Sequence, residues 1–306
     1  ILEAGLRGGL GLNYGCSNGN CGLCKIRVLS GEVRPIRHHD FCLTQAEKSR
    51  GYVLACSCTA VTDVVLEADE ARDASEIPQQ SITTRIKKVD SQNGDVILLS
   101  LQTPRTNRLR FLAGQNAELS LEDGERYPYP IASCPCDDRN LQFHIPVRPD
   151  NNLIEYLLNA AKNKDPVIVT GPSGNFTLNE ASARSLVFIA EDTGFASIKG
   201  LIEHAMALDS AESILLFWYT QDADHPYLHN LCRAWNDALD NFEYFHFTLN
   251  PKNNWMAGFE APIQQQQFSF HEFDYYISAG VTLTTDCENL LISKGVPKQH
   301  IHRHID

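Results

Sequence analysis

Four cysteines have the types and spacing of ligands to an iron–sulfur cluster. Residues 15–24 read GCSNGNCGLC, so the first three cysteines follow a C-x4-C-x2-C pattern, and a fourth ends the apolar run YVLAC. Thiolates are the ligands that iron–sulfur clusters use, and this spacing is one that holds a [2Fe–2S] cluster. We therefore predict such a cluster, with single-electron transfer as its chemistry, on Cys16, Cys21, Cys24 and Cys56.

Other uses of these cysteines compete with the cluster: a structural zinc site, a disulfide, or a thioredoxin-like C-x-x-C at Cys21 and Cys24. Zinc normally takes two separated short-spaced pairs, and a redox C-x-x-C opens a helix after a strand, whereas this loop does neither. Cys58 lies two residues beyond Cys56 and is an alternative fourth ligand. We expect the remaining cysteines to be small buried side chains: Cys42, Cys134, Cys136, Cys232 and Cys287.

Three glycines are expected to shape the cysteine loop. Gly15, Gly19 and Gly22 lie beside its cysteines. Glycine adopts positive φ angles at little cost, and it has no side chain to keep the backbone away from sulfur. We expect these positions to allow positive φ angles and to let backbone N–H groups approach the cluster sulfurs, which stabilises the negative charge of the cluster.

Composition and charge exclude several classes of protein. The 306 residues are enough for two or three domains, and 43% hydrophobic with 21% charged residues is typical of globular proteins. A net charge of −12 predicts no nucleic-acid partner, because nucleic-acid binding concentrates Lys and Arg. No run approaches the roughly 18 apolar residues of a membrane span. Clustered cysteines suit a reducing compartment, so we expect a cytoplasmic protein.

Three patterns divide the chain. Residues 1–72 contain the cysteine loop, and the polar stretch 73–80 has the composition of a linker. Residues 81–182 hold short β-rich runs separated by turn residues, which predict a small antiparallel barrel. Residues 183–306 alternate buried strands with helices, one of them over 195–208, and this order predicts a doubly wound parallel sheet.

The chain resembles reductases that fuse a [2Fe–2S] ferredoxin domain to a ferredoxin-NADP⁺-reductase-like flavin and nicotinamide module. The likeness rests on ILEA at residues 1–4, on the cysteine loop and on LAC at residues 54–56. It points to reductases that resemble CDP-6-deoxy-glucoseen reductase and to oxygenase reductase components. It implies a β-grasp ferredoxin domain, an antiparallel FAD-binding barrel and a doubly wound NAD(P)-binding domain. The family's first β-hairpin, which precedes ILEA, is absent from this sequence.

The first flavin motif departs from the family pattern. YPYPIAS at residues 127–133 stands where the family has R-x-Y/F-S and a run of small residues. The resemblance implies that Tyr129 lies against the isoalloxazine and that Ser133 belongs to the same site. The arginine that would pair with the flavin phosphates has become Tyr127. Because phosphate needs charge-assisted donors, the remaining candidates for this role are Arg126 and Arg148.

The nicotinamide motif departs in a similar way. AEDTGFA at residues 190–196 resembles the family's A-G-G-T-G-x-A-P turn, which implies that Thr193 and Gly194 lie at the nicotinamide site. Glu191 and Asp192 replace two glycines. Carboxylates at a helix N-terminus stabilise the helix, but they repel a dinucleotide phosphate.

Two further segments lose family residues. Asp150 and Asn151 stand where the second flavin segment has glycines, and AGVTLT at residues 279–284 replaces C-G-P-P-x-M. The second change removes the cysteine that lies near the hydride-bearing carbon in the family. Most cofactor motifs therefore lack a residue that meets a phosphate or the reacting ring.

Two functional hypotheses follow. In the first, the chain is an iron–sulfur flavoprotein reductase: NAD(P)H reduces FAD, and FAD passes single electrons through the cluster to a redox partner such as an oxygenase. In the second, the FAD and NAD(P)H sites are lost, and the chain is a cluster-bearing electron relay or scaffold subunit of a larger complex. The sequence assigns no catalytic residue.

Overall fold

Four β-sheets organise the part of the chain that the computed structural model describes. That part comprises residues 1–8, 10–71, 74–92, 94–104, 107–122, 124–137, 139–209, 211–221, 226–249, 255–265 and 269–305.

A small antiparallel sheet in the N-terminal part holds the cysteine loop. The elements of this part are α1 (Leu2–Arg7), β1 (Lys25–Ser30), β2 (Val33–Pro35), α2 (Gln45–Ser49), β3 (Tyr52–Leu54), β4 (Cys58–Ala60) and β5 (Val65–Glu67). Strand β1 lies between β3 and β5, and β2 pairs separately with β4. Leu2 of α1 shares a core with Ile26 and Leu54. Helix α1 is short and ends before Gly8.

A six-stranded antiparallel sheet follows, and it confirms the predicted barrel. Its elements are β6 (Gln80–Gln92), β7 (Val96–Gln102), β8 (Asn116–Ser120), β9 (Tyr127–Pro130), β10 (Asn140–Pro146), α3 (Asn152–Asn159) and β11 (Pro166–Ser173). The strand order is β10-β7-β6-β11-β8-β9. Just beyond β9, Ala132 N donates to Gln142 O of β10 over 2.8 Å, which brings the two edge strands together. In β6, Ile82, Thr84 and Ile86 alternate inward, as the period of a strand requires.

A five-stranded parallel sheet confirms the predicted doubly wound domain. Its elements are β12 (Ser185–Glu191), α4 (Phe195–Leu208), β13 (Ile214–Thr220), α5 (His229–Ala238), β14 (Phe242–Thr248), α6 (Trp255–Gln265), β15 (Phe273–Ala279), α7 (Val281–Ser293) and β16 (Ile301–Ile305). The order is β14-β13-β12-β15-β16, so the winding reverses between β12 and β15. Helices α4 and α5 cover one face, and α6 and α7 cover the other.

Strand β9 of the barrel and helix α6 of the parallel-sheet domain were not predicted. Strand β9 contains two prolines, which remove backbone donors and disguise a strand at the sheet edge. Helix α6 has Pro262 inside it, which weakens a helical pattern. None of the helices in the described residues is long and apolar enough to cross a membrane.

Polar contacts join the three parts of the fold. Arg110 of the barrel donates through Nη1 to Asn13 Oδ1 (2.9 Å), and Arg108 N donates to Gly15 O (3.2 Å) at the start of the cysteine loop. On the other side, Lys199 Nζ of α4 donates to a barrel carbonyl, that of Ala132, over 3.1 Å. The domain limits near residues 72, 81 and 182 stay predictions, and residues 72 and 73 lie outside the described residues.

Gly114 offers a test of the packing between the barrel and α4. It has a φ of +87°, and an added Cβ would lie 2.1 Å from the Phe176 backbone oxygen. Gly94 has a similar φ of +83° with no atom within 4 Å of an added Cβ. We expect Gly94→Ala to lower the free energy of unfolding by roughly 1–2 kcal/mol through backbone strain alone. Gly114→Ala should cost about 1–3 kcal/mol more through overpacking.

Thermal and denaturant unfolding of the two variants measure this difference. If both variants lose the same free energy of unfolding, the close approach of the Phe176 backbone oxygen to Gly114 does not exist.

Candidate iron–sulfur centre and dinucleotide sites

The structure brings the four predicted cysteine ligands together as two pairs. The thiols of Cys16 and Cys21 lie close enough for each to shift the pKa of the other, and so do those of Cys24 and Cys56. The second pair depends on the sheet. The antiparallel β1–β3 ladder continues past its end with Ala55 N donating to Cys24 O (2.9 Å), which sets Cys56 beside Cys24.

Backbone N–H groups of the loop point at the sulfurs. Asn20 N and Cys21 N donate to Cys16 Sγ over 3.2 and 3.3 Å. Cys16 N and Leu23 N donate to Cys21 Sγ over 3.4 and 3.5 Å. Burial raises the pKa of the Cys16 thiol, but the backbone donors, with Asn18 first among them, outweigh burial and hold it below its ordinary value. The loop therefore favours a thiolate at this position.

Two of the three loop glycines adopt positive φ angles that favour glycine over other residues. Gly19 and Gly22 have φ angles of +93° and +76°. At Gly22 a Cβ would lie 2.3 Å from the Phe41 ring. Gly15 does not use this freedom, because its φ lies outside that range. A Cβ at Gly15 would instead lie 2.9 Å from Leu23 Cδ1, so the Leu23 side chain would have to move.

Cys56, rather than Cys58, faces the other cysteines. The hydrogen bond with the Cys24 thiol is the largest cause that lowers the pKa of Cys56 to about 6, and the Arg37 guanidinium adds to it. The same hydrogen bond raises the pKa of Cys24, so the pair favours one thiolate on Cys56. Cys58 lies in β4, where burial raises its pKa.

The donor set fits a binuclear iron–sulfur cluster. Within the described residues, no three His, Cys, Asp or Glu side chains converge on one metal-ion position. A structural zinc ion gathers four ligands around a single centre, whereas the thiolates of a [2Fe–2S] cluster are divided between two irons. Two separate thiol pairs with amide donors around their sulfurs therefore suit the cluster better than zinc.

Two predicted flavin residues lie at the start of α3. Tyr129 is buried, and its hydroxyl accepts a hydrogen bond from Asn151 Nδ2 over 3.0 Å. Burial raises the pKa of Tyr129, and the nearby positive charge of Arg148 opposes that shift. The first N–H groups of α3 are already bonded, because Ile154 N donates to Asn151 Oδ1 (3.1 Å) and Asn152 N to Tyr127 Oη (3.3 Å).

The other two predicted flavin residues point elsewhere. Arg126 is exposed and lies 3.6 Å from the Glu118 carboxylate. Ser133 is buried, and its hydroxyl accepts a hydrogen bond from Gln142 N over 3.2 Å. Arg148 is therefore better placed than Arg126 to meet a phosphate beside Tyr129.

Carboxylates occupy the edge of the parallel sheet where its winding reverses. Glu191 accepts hydrogen bonds from Gly280 N (3.0 Å) and from Gln221 Nε2 (2.6 Å). Asp192 Oδ1 accepts one from Gln221 N (3.1 Å). These bonds join the loops that follow β12, β13 and β15, at the place where doubly wound sheets bind their ligands. These residues oppose a dinucleotide phosphate at this edge, because they present negative charge and the N–H groups of Gly280 and Gln221 are already engaged, so a bound phosphate would have to displace internal hydrogen bonds.

The predicted nicotinamide residues lie in the same turn. Thr193 and Gly194 belong to a short 3₁₀ helix over Asp192–Gly194, directly before α4. Next to it is an aromatic cluster that the sequence did not reveal. Phe195 stacks on Trp218 with ring centroids 3.8 Å apart, and Tyr227 contacts both rings edge-on. Its members come from separate elements, so no local pattern marks it.

The remaining cysteines differ from expectation in part. Cys232 and Cys287 are fully buried, as expected. Cys134 is buried too, and it forms a disulfide with Cys136. Cys42 is exposed and Cys136 is only half-buried, so the expectation of burial was wrong for these two. The C-P-C spacing was the signal that could have revealed the pair, since two residues of separation allow the sulfurs to meet.

Comparison with known proteins agrees with this architecture. Residues 1–61 match the family described as a 2Fe-2S iron-sulfur cluster binding domain. CDP-6-deoxy-L-threo-D-glycero-4-hexulose-3-dehydrase reductase of Yersinia pseudotuberculosis is 25% identical over 299 residues, which span 97% of this chain and 89% of the relative. Terephthalate 1,2-dioxygenase reductase component 2 of a Comamonas species is 27% identical over 248 residues, 80% of this chain and 72% of the relative.

Solved structures share the fold, one of them over the whole chain and one over about three quarters of it. The Amycolatopsis cytochrome P450 reductase GcoB aligns with a TM-score of 0.64 and 23% identity, over 100% of this chain and 93% of its own. A ferredoxin NADP+ reductase from Neisseria gonorrhoeae aligns with a TM-score of 0.60 and 14% identity, over 74% of this chain and 98% of its own. The predicted resemblance is confirmed: the chain joins a [2Fe–2S] cluster-binding domain to a ferredoxin-NADP⁺-reductase-like fold, and its relatives include reductases of dehydrase and oxygenase systems.

Proposed function

We propose that this chain is a reductase component that delivers single electrons through a [2Fe–2S] cluster to a partner protein, with NAD(P)H and FAD as the electron source. The observation that supports it most strongly is the cysteine loop, with two thiol pairs and backbone donors aimed at sulfur. The reductase-like fold of the rest of the chain and the names of its relatives supply the flavin and nicotinamide part of the proposal.

The proposed cluster ligands are Cys16, Cys21, Cys24 and Cys56, and the bound cluster would supply one-electron chemistry. The surrounding protein prepares the site in two ways. Backbone N–H groups that donate to the sulfurs of Cys16 and Cys21 stabilise negative charge there. Gly22 lets the backbone pass close to the Phe41 ring. Cys21 is exposed and Leu23 is 51% exposed, so this edge is the proposed exit for electrons.

The partner is proposed to be a redox protein such as an oxygenase, or a dehydrase of the kind that the relatives' names mention. The net charge of −12 would steer a basic patch on that partner towards this chain. We place the protein in the cytoplasm, a reducing compartment that keeps the cluster thiols available.

For the flavin, we propose that Tyr129 and Arg148 meet the ring and a phosphate, with Ser133 and Arg126 outside direct contact. Arg148 is exposed and lies near Tyr129, and across the described ranges no ion pair involves it. Thr193 and Gly194 are the proposed nicotinamide-site residues, since they begin the turn into α4.

A second function is favoured by one specific observation. The switch point is the edge of the parallel sheet where its winding reverses and where a dinucleotide phosphate would lie. There the carboxylates of Glu191 and Asp192 accept hydrogen bonds that join the neighbouring loops. This arrangement suits a cluster-bearing relay or scaffold that takes electrons from another protein. Flavin binding and reduction by NAD(P)H separate the two functions.

The fourth cluster ligand can be tested with two neighbouring cysteines. Cys56→Ser should lose most of the iron, acid-labile sulfide and visible absorbance of the cluster, because it removes the thiol beside Cys24. Cys58→Ser is the control, and it should keep all three because Cys58 lies in β4. If Cys58→Ser loses the cluster and Cys56→Ser keeps it, the fourth ligand is Cys58 and the proposed assignment to Cys56 is wrong.

Flavin binding is tested by titrating the cluster-loaded protein with FAD and following flavin fluorescence. We expect stoichiometric binding, which Arg148→Gln weakens about tenfold through loss of a charge-assisted bond. Arg126→Gln should bind FAD as the parent does, because its guanidinium already faces Glu118. No binding at tens of micromolar FAD, with the cluster spectrum intact, would exclude the reductase function and leave the relay.

Charge at the switch point is tested by Asp192→Asn. This change keeps an acceptor for Gln221 N and a residue that tolerates the φ of +46°, but it removes a negative charge. We expect the KM for NADH to fall about two- to fivefold, the size of a single charge effect at a helix N-terminus. Asp209→Asn is the control at the far end of α4, with a φ of +50°. An unchanged KM in Asp192→Asn would refute the repulsion.

A further inference from the structure

A second cysteine pair lies outside the cysteine loop. Cys134 and Cys136, on either side of Pro135, form a disulfide just beyond β9, with Cα atoms 5.1 Å apart. We propose that this CPC pair is a redox-active centre that exchanges electrons with anionic thiols by thiol–disulfide exchange. The proposal goes beyond the electron-transfer function, because none of its groups is a proposed cluster ligand.

A histidine lies next to Cys134, and a carboxylate is hydrogen-bonded to that histidine. His204 Nδ1 lies 4.0 Å from Cys134 Sγ, and His204 Nε2 lies 2.8 Å from Glu180 Oε1. Cys134 is 3% exposed and His204 is 5% exposed, so both lie away from bulk solvent. A buried sulfur, an imidazole and a carboxylate in sequence are the groups that activate or protonate a thiolate.

Backbone and charged groups fix the pair and favour Cys134 as the leaving thiolate. Cys136 N donates to Cys134 Sγ over 3.1 Å. Cys134 N donates to Glu203 Oε2 over 3.2 Å, and Glu203 is itself paired with the buried Lys199 at 2.5 Å. An amide donor and a nearby imidazole both stabilise a thiolate, and a more stable thiolate leaves faster.

Cys136 is the sulfur that a thiol can reach. It is half-buried and lines a cleft of about 1130 Å³ between the barrel and the N-terminal part. The charged residues that line this cleft include more arginines than carboxylates: Arg37, Arg85, Arg108, Arg139, Glu3 and Asp137. An excess of positive charge in a cleft raises the local concentration of anions, which here means anionic thiolates.

The exchange balances as two displacements. A thiolate attacks Cys136 Sγ, the bond to Cys134 breaks, and the electron pair goes to Cys134 Sγ, which takes a proton from His204. A second thiolate attacks the sulfur now joined to Cys136, which releases a small-molecule disulfide and leaves Cys136 as a thiolate that water protonates. Two small thiols are thereby oxidised and one protein disulfide is reduced to two thiols, and the reverse sequence restores the pair.

The test uses the full, cluster-loaded chain in buffers with graded ratios of reduced to oxidised glutathione. Free thiols are trapped with N-ethylmaleimide, and the peptide that contains residues 134–136 is measured by mass spectrometry. We expect the pair to pass from disulfide to doubly labelled dithiol in one two-electron transition. Cys42 serves as the internal control, since this exposed single thiol should be labelled throughout the reducing part of the series. A pair that stays in one state at every ratio would overturn the proposal.

The role of His204 is tested by the rate of reduction. His204→Gln should slow reduction of the pair about tenfold or more and flatten its dependence on pH, as expected for loss of a proton donor. His300→Gln is the control, because His300 also pairs with a carboxylate, Asp274 at 2.6 Å, but lies in another part of the fold. A parent-like rate and pH profile in His204→Gln would overturn this assignment, and so would equal slowing in both variants.

Discussion

Backbone N–H groups aimed at the sulfurs of Cys16 and Cys21 are the interaction on which the rest of this structure depends. Thiolates that lie close together repel one another, and partial burial raises the cost of their charge, so they need donors that do not have to reorganise. The loop supplies these donors only because two glycines take positive φ angles. The second thiol pair needs in addition the β1–β3 ladder, which carries Cys56 to Cys24. A short cysteine motif thus requires a sheet, and that sheet is tied to the barrel through Arg110.

At the start of α3 and at the edge of the parallel sheet, side chains of this protein bond the backbone N–H groups that a cofactor phosphate could otherwise bind. Backbone N–H groups at a sheet edge or helix start need an acceptor, and a bound phosphate can provide it. Here Glu191 accepts from Gly280, and Asn151 accepts from Ile154. A phosphate that arrives at either place competes with an existing internal hydrogen bond. The fold is therefore stable at these edges with its own side chains alone, and any cofactor must gain enough elsewhere to displace them.

Much of this organisation could be predicted from the sequence because its signals are local. The C-x4-C-x2-C spacing identified three of the clustered thiols, and strand alternation with buried apolar runs predicted the barrel and the parallel sheet. What escaped prediction depends on partners from distant segments. Nothing near Arg126 in the chain shows that Glu118 pairs with it across β8 and β9. Likewise, only the fold brings His204 and Glu180 to Cys134.

In the proposed function, electrons reach the cluster of this chain from a nicotinamide donor. Electron paramagnetic resonance of the anaerobic, cluster-loaded protein with FAD, frozen after addition of NADH or NADPH, tests this proposal most directly. We expect a reduced [2Fe–2S] signal that approaches one unpaired electron per chain, since a reduced cluster of this type holds a single added electron. A signal that appears only with dithionite, and with neither NADH nor NADPH, would show that a nicotinamide donor does not reduce this cluster.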